Sequence, residues 1–136
     1  MAFIYEYCRD CGEEVKVRVG QFVFNKELLW HKSYACPHCK IQSEEDGIGT
    51  LPERERQAIL AMEGTWSLIV RETGARATVA TTILRAAMDL TLAEALKLKK
   101  MMPGSVVTGT KAETDRLKQL LASKDLQVSI SAVIEP

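Results

Sequence analysis

Cys8-Arg9-Asp10-Cys11 and Cys36-Pro37-His38-Cys39 are two Cys-x-x-Cys pairs separated by 24 residues, and together they hold all four cysteines of the chain. Two intervening residues let a tight turn aim both sulfurs at one cation while the turn's own amides donate to the thiolates. Two such turns complete a tetrahedral four-sulfur shell with no open position, which is a structural arrangement and not a catalytic one. The expected cofactor is therefore one structural Zn2+ on Cys8, Cys11, Cys36 and Cys39. Gly12 directly after Cys11 fits the end of such a turn, where positive φ suits glycine. Two other chemistries use the same residues. A pair of disulfides needs an oxidising compartment, and Met1 to Tyr7 lacks the basic start and apolar run of an export signal. A redox Cys-Pro-His-Cys should open the helix of a βαβ unit, and Ile41-Gln42-Ser43-Glu44 does not resemble that helix. With four thiolates filling the shell, His31 and His38 are expected at the surface or behind the ligands.

The elements around the pairs must present them. Ile4-Tyr5-Glu6-Tyr7 and Glu14-Val15-Lys16-Val17-Arg18-Val19 alternate apolar with polar residues, as two strands flanking a metal knuckle should. Phe22, Phe24 and Tyr34 suggest further strand pieces, with Leu28, Leu29 and Trp30 filling a small core. This half resembles the zinc ribbon family, and Tyr5-Glu6-Tyr7-Cys8 with Cys11-Gly12 is similar to the start of small bacterial zinc-ribbon regulators. Residues 42–52, polar and glycine-containing without apolar periodicity, read as a hinge or surface loop. The expected division is a zinc ribbon over residues 1–45, a linker and short helix over 46–64, and a second domain over 65–136. Pro52 starts the short helix and Gly64 ends it.

From Thr65 the periodicity changes. Trp66, Leu68 and Val70 mark a strand ending at Thr73-Gly74. Val79, Ala80, Ile83, Leu84, Ala86, Ala87 and Leu90 then make an apolar helical stripe from about residue 77 to 88. Thr91-x-x-Glu94 and Thr110-x-x-Glu113 are capping boxes that open two more helices, one carrying Leu92, Ala95, Leu96, Leu98 and Met102 up to Pro103-Gly104, the other carrying Leu117, Leu120 and Leu121. Val106-Val107 and the alternating Leu126-Gln127-Val128-Ser129-Ile130-Ser131 supply two more strands. The fold class is α+β: a small four-cysteine ribbon followed by a β-α-α-β-α-β domain with three helices on a three-stranded antiparallel sheet. Residues 65–130 resemble the C-terminal globular domain of the bacterial ribosomal stalk protein through Trp66, Leu68, Val70, Gly74, Arg85, Ala87, Leu90, Leu92, Glu94, Ala95, Leu98, Pro103, Gly109, Leu117, Lys118, Leu121 and Val128. The resemblance implies protein binding, since that family presents its first two helices to translation GTPases and Clp protease adaptors share the fold. Thr81, Thr82, Ala77 and Leu96 stand where the family usually has apolar residues or lysine.

At 136 residues, 46% hydrophobic and 26% charged, the chain has room for one ordinary domain or two small ones. Eighteen Lys and Arg balance eighteen Asp and Glu, so no global field draws it to nucleic acid or membrane. No apolar run approaches the roughly 20 residues of a spanning helix, and a cytoplasmic location is expected. Residues 1–50 carry −2 and residues 65–136 carry +3. Lys97, Lys99 and Lys100 offset a helix dipole, and with Arg76 and Arg85 they can also form a positive face. The expected contact residues are Arg76, Thr81, Leu84, Arg85, Lys97, Lys99 and Lys100. The sequence shows no phosphate-cradling glycine loop, no nucleophile elbow and no His-x-x-x-His or paired-carboxylate arrangement that can be placed in a pocket. The expected function is a non-enzymatic, zinc-containing adaptor that binds another protein, such as a translation factor, the ribosome or a protease component. The alternative is a nucleic-acid-binding regulator.

Overall fold

A computed structural model describes residues 2–134. The contacts divide the chain into two units, Met1–Gly64 and Thr65–Pro136. Among the described residues there are four helices and two antiparallel sheets, and no helix is long and apolar enough to cross a membrane.

In the first unit, strands β1 (Ala2–Tyr7), β2 (Glu14–Phe24), β3 (Glu27–Ala35) and β4 (Gln42–Ile48) pair in the order β1-β2-β3-β4. The period-two pattern of β1 and β2 places Ala2, Ile4, Val15, Val17 and Val19 on one face, where they are buried with Leu51 and Ile59. Ile59 belongs to helix α1 (Glu53–Glu63), which packs on β1 and β2 and ends at Gly64 with φ 82. Asn25 and Lys26 both take left-handed φ, 52 and 63, and close the β2–β3 hairpin in two residues. Glu55 of α1 is buried and answered by Lys32, whose Nζ lies 3.4 Å from Glu55 and 2.9 Å from Glu6. Burial works against the Lys32 charge, yet the hydrogen bonds and charges of Glu6 and Glu55 outweigh it and raise its pKa above the ordinary lysine value.

Two expectations for this half are corrected. Residues 42–48 are not a hinge: they form β4, in register with β3 from Leu29↔Ile48 to Ala35↔Gln42. Its acidic, non-periodic composition suits an edge strand with solvent on several sides. The ribbon therefore does not stop at residue 45, and α1 belongs to the same unit because Leu51 and Ile59 complete its core. Phe22 and Phe24 are exposed, since the even positions of β2 beyond Gly20 face away from α1. Gly47 is required by packing, because a Cβ there would lie 2.1 Å from the Trp30 ring, which covers it from the paired position on β3. Gly47→Ala is expected to displace Trp30 and cost roughly 1–3 kcal/mol, as overpacking does. Tryptophan emission and a urea titration report both effects.

In the second unit, β5 (Trp66–Val70), α2 (Gly74–Met88), α3 (Leu92–Lys100), β6 (Gly104–Gly109), α4 (Lys111–Ala122) and β7 (Val128–Ala132) follow in sequence, and the sheet order is β6-β5-β7. Leu68 and Val70 of β5 meet Ala80 and Leu84 of α2, Val106 of β6, Leu117 and Leu121 of α4, and Leu126 in one core. Both capping boxes form with reciprocal bonds: Glu94 N to Thr91 Oγ1 at 3.1 Å and Thr91 N to Glu94 Oε1 at 2.9 Å, repeated at Thr110 and Glu113 with the same distances. Helix α2 begins at Gly74, three residues before the expected start. Its buried face is Ala77, Ala80, Thr81 and Leu84, so Val79 and Ala86, placed on the inward stripe by sequence, face solvent.

Candidate metal centre and contact surfaces

The two knuckles sit in the β1–β2 and β3–β4 connections and repeat one another bond for bond. Cys8 N donates to Glu13 O at 2.7 Å, and Cys36 N to Ile41 O at 2.9 Å. Gly12 N donates to Cys8 O at 2.9 Å, and Lys40 N to Cys36 O at 3.1 Å. Gly12 (φ 76) and Lys40 (φ 68) occupy the same left-handed position. A glycine marks the first turn in the sequence and nothing marks the second. Lys40 Nζ donates to Pro37 O at 2.9 Å, which ties that turn down.

The four Sγ atoms lie within 4.8 Å of one another, with Cys8–Cys39 and Cys11–Cys36 each at 3.6 Å, and all four thiols are free. A disulfide would bring sulfurs to about 2.0 Å, whereas a tetrahedral ion with metal–sulfur bonds of about 2.3 Å separates its ligands by about 3.8 Å. The spacing fits a single shared ion, so the metal-site expectation for these four residues holds in geometry. Among the described residues neither histidine joins the group. His31 Nδ1 instead lies 2.5 Å from Asp46 Oδ1.

Cys8 and Cys36 are buried, Cys11 and Cys39 exposed. The Cys11 amide, joined by that of Asp10, stabilises the Cys8 thiolate and draws its pKa down to about 6 despite burial. The amides of Cys39 and His38 lower Cys36 in the same way. Cys11 receives the Glu13 amide, but desolvation and the neighbouring sulfurs prevail and push it up to about 12. Cys39, with the Ile41 amide, is likewise raised. One thiolate per knuckle is thus prepared by backbone amides, and the second must lose its proton when a cation arrives.

The structure separates the seven expected contact residues. Leu84 is fully buried in the second core, and Thr81 is buried with its hydroxyl donating to Ala77 O at 2.8 Å, so neither is available to a partner. Arg76 is engaged: its Nε and Nη2 donate to the two oxygens of buried Glu72 at 3.0 and 3.1 Å, and Nη2 also donates to Asp125 O. Glu72 Oε2 further accepts from Gln127 N at 2.6 Å. This clamp ties the start of α2 to the chain entering β7. Arg85, Lys97 and Lys100 are exposed and Lys99 is half-buried. The residues that sequence reasoning placed inward instead of on the surface include Val79, Leu92 and Leu96, with Leu92 57% and Leu96 47% exposed, and Met101 after α3 is exposed as well. In α3 only Ala95 is buried and Leu98 partly so, and Met102, just beyond the helix, is also partly buried. A nine-residue helix has one narrow inward row, and the four-residue spacing of Leu92 and Leu96 marks a second row outside it.

The Arg76 bonds and the Gln127 amide hold the Glu72 carboxyl below its ordinary pKa of 4.5. A carboxyl with a lowered folded-state pKa contributes stability that is complete above its unfolded value and is lost as pH falls through the folded value. The second unit should therefore lose this contribution below about pH 4.5. Glu72→Gln should weaken it at neutral pH and flatten that acid limb, as read from thermal melts across pH.

No family model, curated protein or solved structure matches the chain.

Proposed function

We propose that the chain is a non-enzymatic adaptor, with a zinc-bearing first unit joined to a second unit that holds another protein on the outer faces of α2 and α3. The observation that carries this reading is the exposed apolar set Val79, Leu92, Leu96 and Met101, accompanied by Arg85, Lys97 and Lys100. Apolar side chains left in water on two successive helices gain free energy when covered, and the exposed cations on the same helices favour an acidic partner. Zinc is supported by the all-thiolate tetrahedral set without an open position. Four free thiols suit a reducing cytoplasm. The resemblance to the ribosomal stalk domain points to a partner in translation, and the fold shared with Clp adaptors points to protein quality control.

The test is affinity capture from native cytoplasm with tagged protein, repeated with Leu96→Asp and Lys100→Glu together. Both positions are exposed, so the variant should fold. Loss of specific proteins, translation factors or protease components among them, supports the reading. An unchanged set rejects the α2–α3 surface.

A second reading has its own observation. Tyr5 and Tyr7 are exposed on the face of the first sheet that also carries Lys16 and Arg18, a mixture that stacks and neutralises single-stranded nucleic acid. Tight RNA or DNA retention on filters that falls steeply with salt would favour this alternative.

A further inference from the structure

Strand β4 is an edge of the first sheet: β3 pairs with its inner side and, among the described residues, no strand pairs with its outer side. Gly49 N donates to Leu28 O at 2.7 Å, which with the unbroken β3–β4 register sets the alternation of the strand. Ser43, Glu45 and Gly47 direct their backbone groups at β3, while Gln42, Glu44, Asp46 and Ile48 turn theirs outward. The side chains of that outward set also share the sheet face opposite α1 and end three cross-strand rows. The first is Phe22↔Leu29↔Ile48, the second Gly20↔His31↔Asp46, the third Arg18↔Ser33↔Glu44.

The first row is apolar and stops at Ile48, which is 73% exposed. Beside it lies a shallow cleft of about 490 Å³ lined by Phe22, Leu29, Trp30, Asp46, Gly47 and Ile48. The next two rows stop at carboxylates, and exposed Glu45 adds a third acid to the same edge. An apolar row and two rows that end on carboxylates, of which Asp46 also meets His31 Nδ1 at 2.5 Å, each stop beside outward backbone groups and specify what can extend them. We propose that β4 accepts an extended protein segment as a fifth strand, with an apolar residue on the Ile48 row and Lys or Arg two and four positions along it, facing Asp46 and Glu44. Backbone bonds supply the attachment, while the alternate side chains supply selection. Three carboxylates repel phosphate, which disfavours nucleic acid, and two acidic edges repel one another, which disfavours a second copy of this chain. The surface lies on the first unit and does not depend on the α2–α3 reading.

The probes are two fluorescein-labelled heptapeptides, Ile-Thr-Lys-Thr-Lys-Thr-Lys and its reverse, covering both strand directions, with glutamate-for-lysine controls. Fluorescence anisotropy is measured on the full-length, metal-loaded protein. One lysine peptide should bind, weakening with added salt, and the glutamate peptides should not. Glu44→Lys with Ile48→Ser should weaken it by at least roughly tenfold, with metal content and circular dichroism unchanged because both positions are exposed. Glu44→Pro, which removes one outward amide and leaves the β3 bonds in place, provides the second variant and should also weaken binding. Failure of both lysine peptides to bind, or binding indifferent to these variants, overturns the proposal. So does a dimer in sedimentation that Ile48→Ser dissolves, which would assign the edge to a second copy.

Discussion

Stripping the metal from reduced protein with a chelator should unfold the first unit and leave the second standing. The first core is small, and two of its nine buried members, Cys8 and Cys36, belong to the four-cysteine cluster itself. A unit of this size buries too little apolar surface to stay folded securely without help. Binding of a structural ion supplies on the order of 10 kcal/mol, comparable with the whole stability of an ordinary domain, about 5–15 kcal/mol. Without it, four neighbouring sulfurs, two with lowered and two with raised pKa, have no shared charge to hold them together. The chain's two tryptophans report separately, Trp30 from the first unit and Trp66 from the second. In a Trp66→Phe background the emission of Trp30 should shift red on chelation and recover with stoichiometric zinc. Substituting cobalt should give the absorption of a tetrahedral thiolate site. Native Trp30 emission in metal-free, reduced protein would show that the ion is not structural.

The second large effect separates buried from exposed leucines in the helical unit. Leu84→Ala should cost about 3–5 kcal/mol, the range for a fully buried leucine whose surroundings relax only in part. Leu96→Asp, on the next helix and nearly half exposed, should change stability by no more than about 0.5 kcal/mol. Urea denaturation followed through Trp66 measures both. A large loss from Leu96→Asp would mean that α3 buries its outer row against the unit, and the adaptor surface proposed above would then lose its foundation. Leu84→Ala acts through the core, so any loss of partner binding it caused would report unfolding and carry no information about contact.

The metal set was legible because its logic is local. A Cys-x-x-Cys turn carries its own amide donors, and only two such turns are present. The capping boxes were legible for the same reason, since Thr91 with Glu94 and Thr110 with Glu113 satisfy their bonds within one helical turn. Strands with strict alternation, β1 and the first half of β2, announced their buried face. β4 did not, because an edge strand need not alternate, and its glycine answers a tryptophan on another strand. The helical faces were misjudged where apolar residues outnumber inward positions: Val79, Ala86, Leu92 and Leu96 stayed outside, while Thr81, expected at a contact surface, went inside. Composition could not distinguish those rows.

Sequence alone thus determined the four-cysteine cluster, the two capped helix starts at Thr91 and Thr110, the α+β class and the change of character near Thr65, all of which depend on neighbours a few residues apart. Tertiary structure decided that residues 42–48 extend the first sheet, that α1 closes its core, that Arg76 is held by Glu72 and Asp125, and which leucines meet water. Those outcomes depend on side chains brought together from distant parts of the chain, and the free energy of burying a residue is set by what covers it, a quantity no local pattern contains.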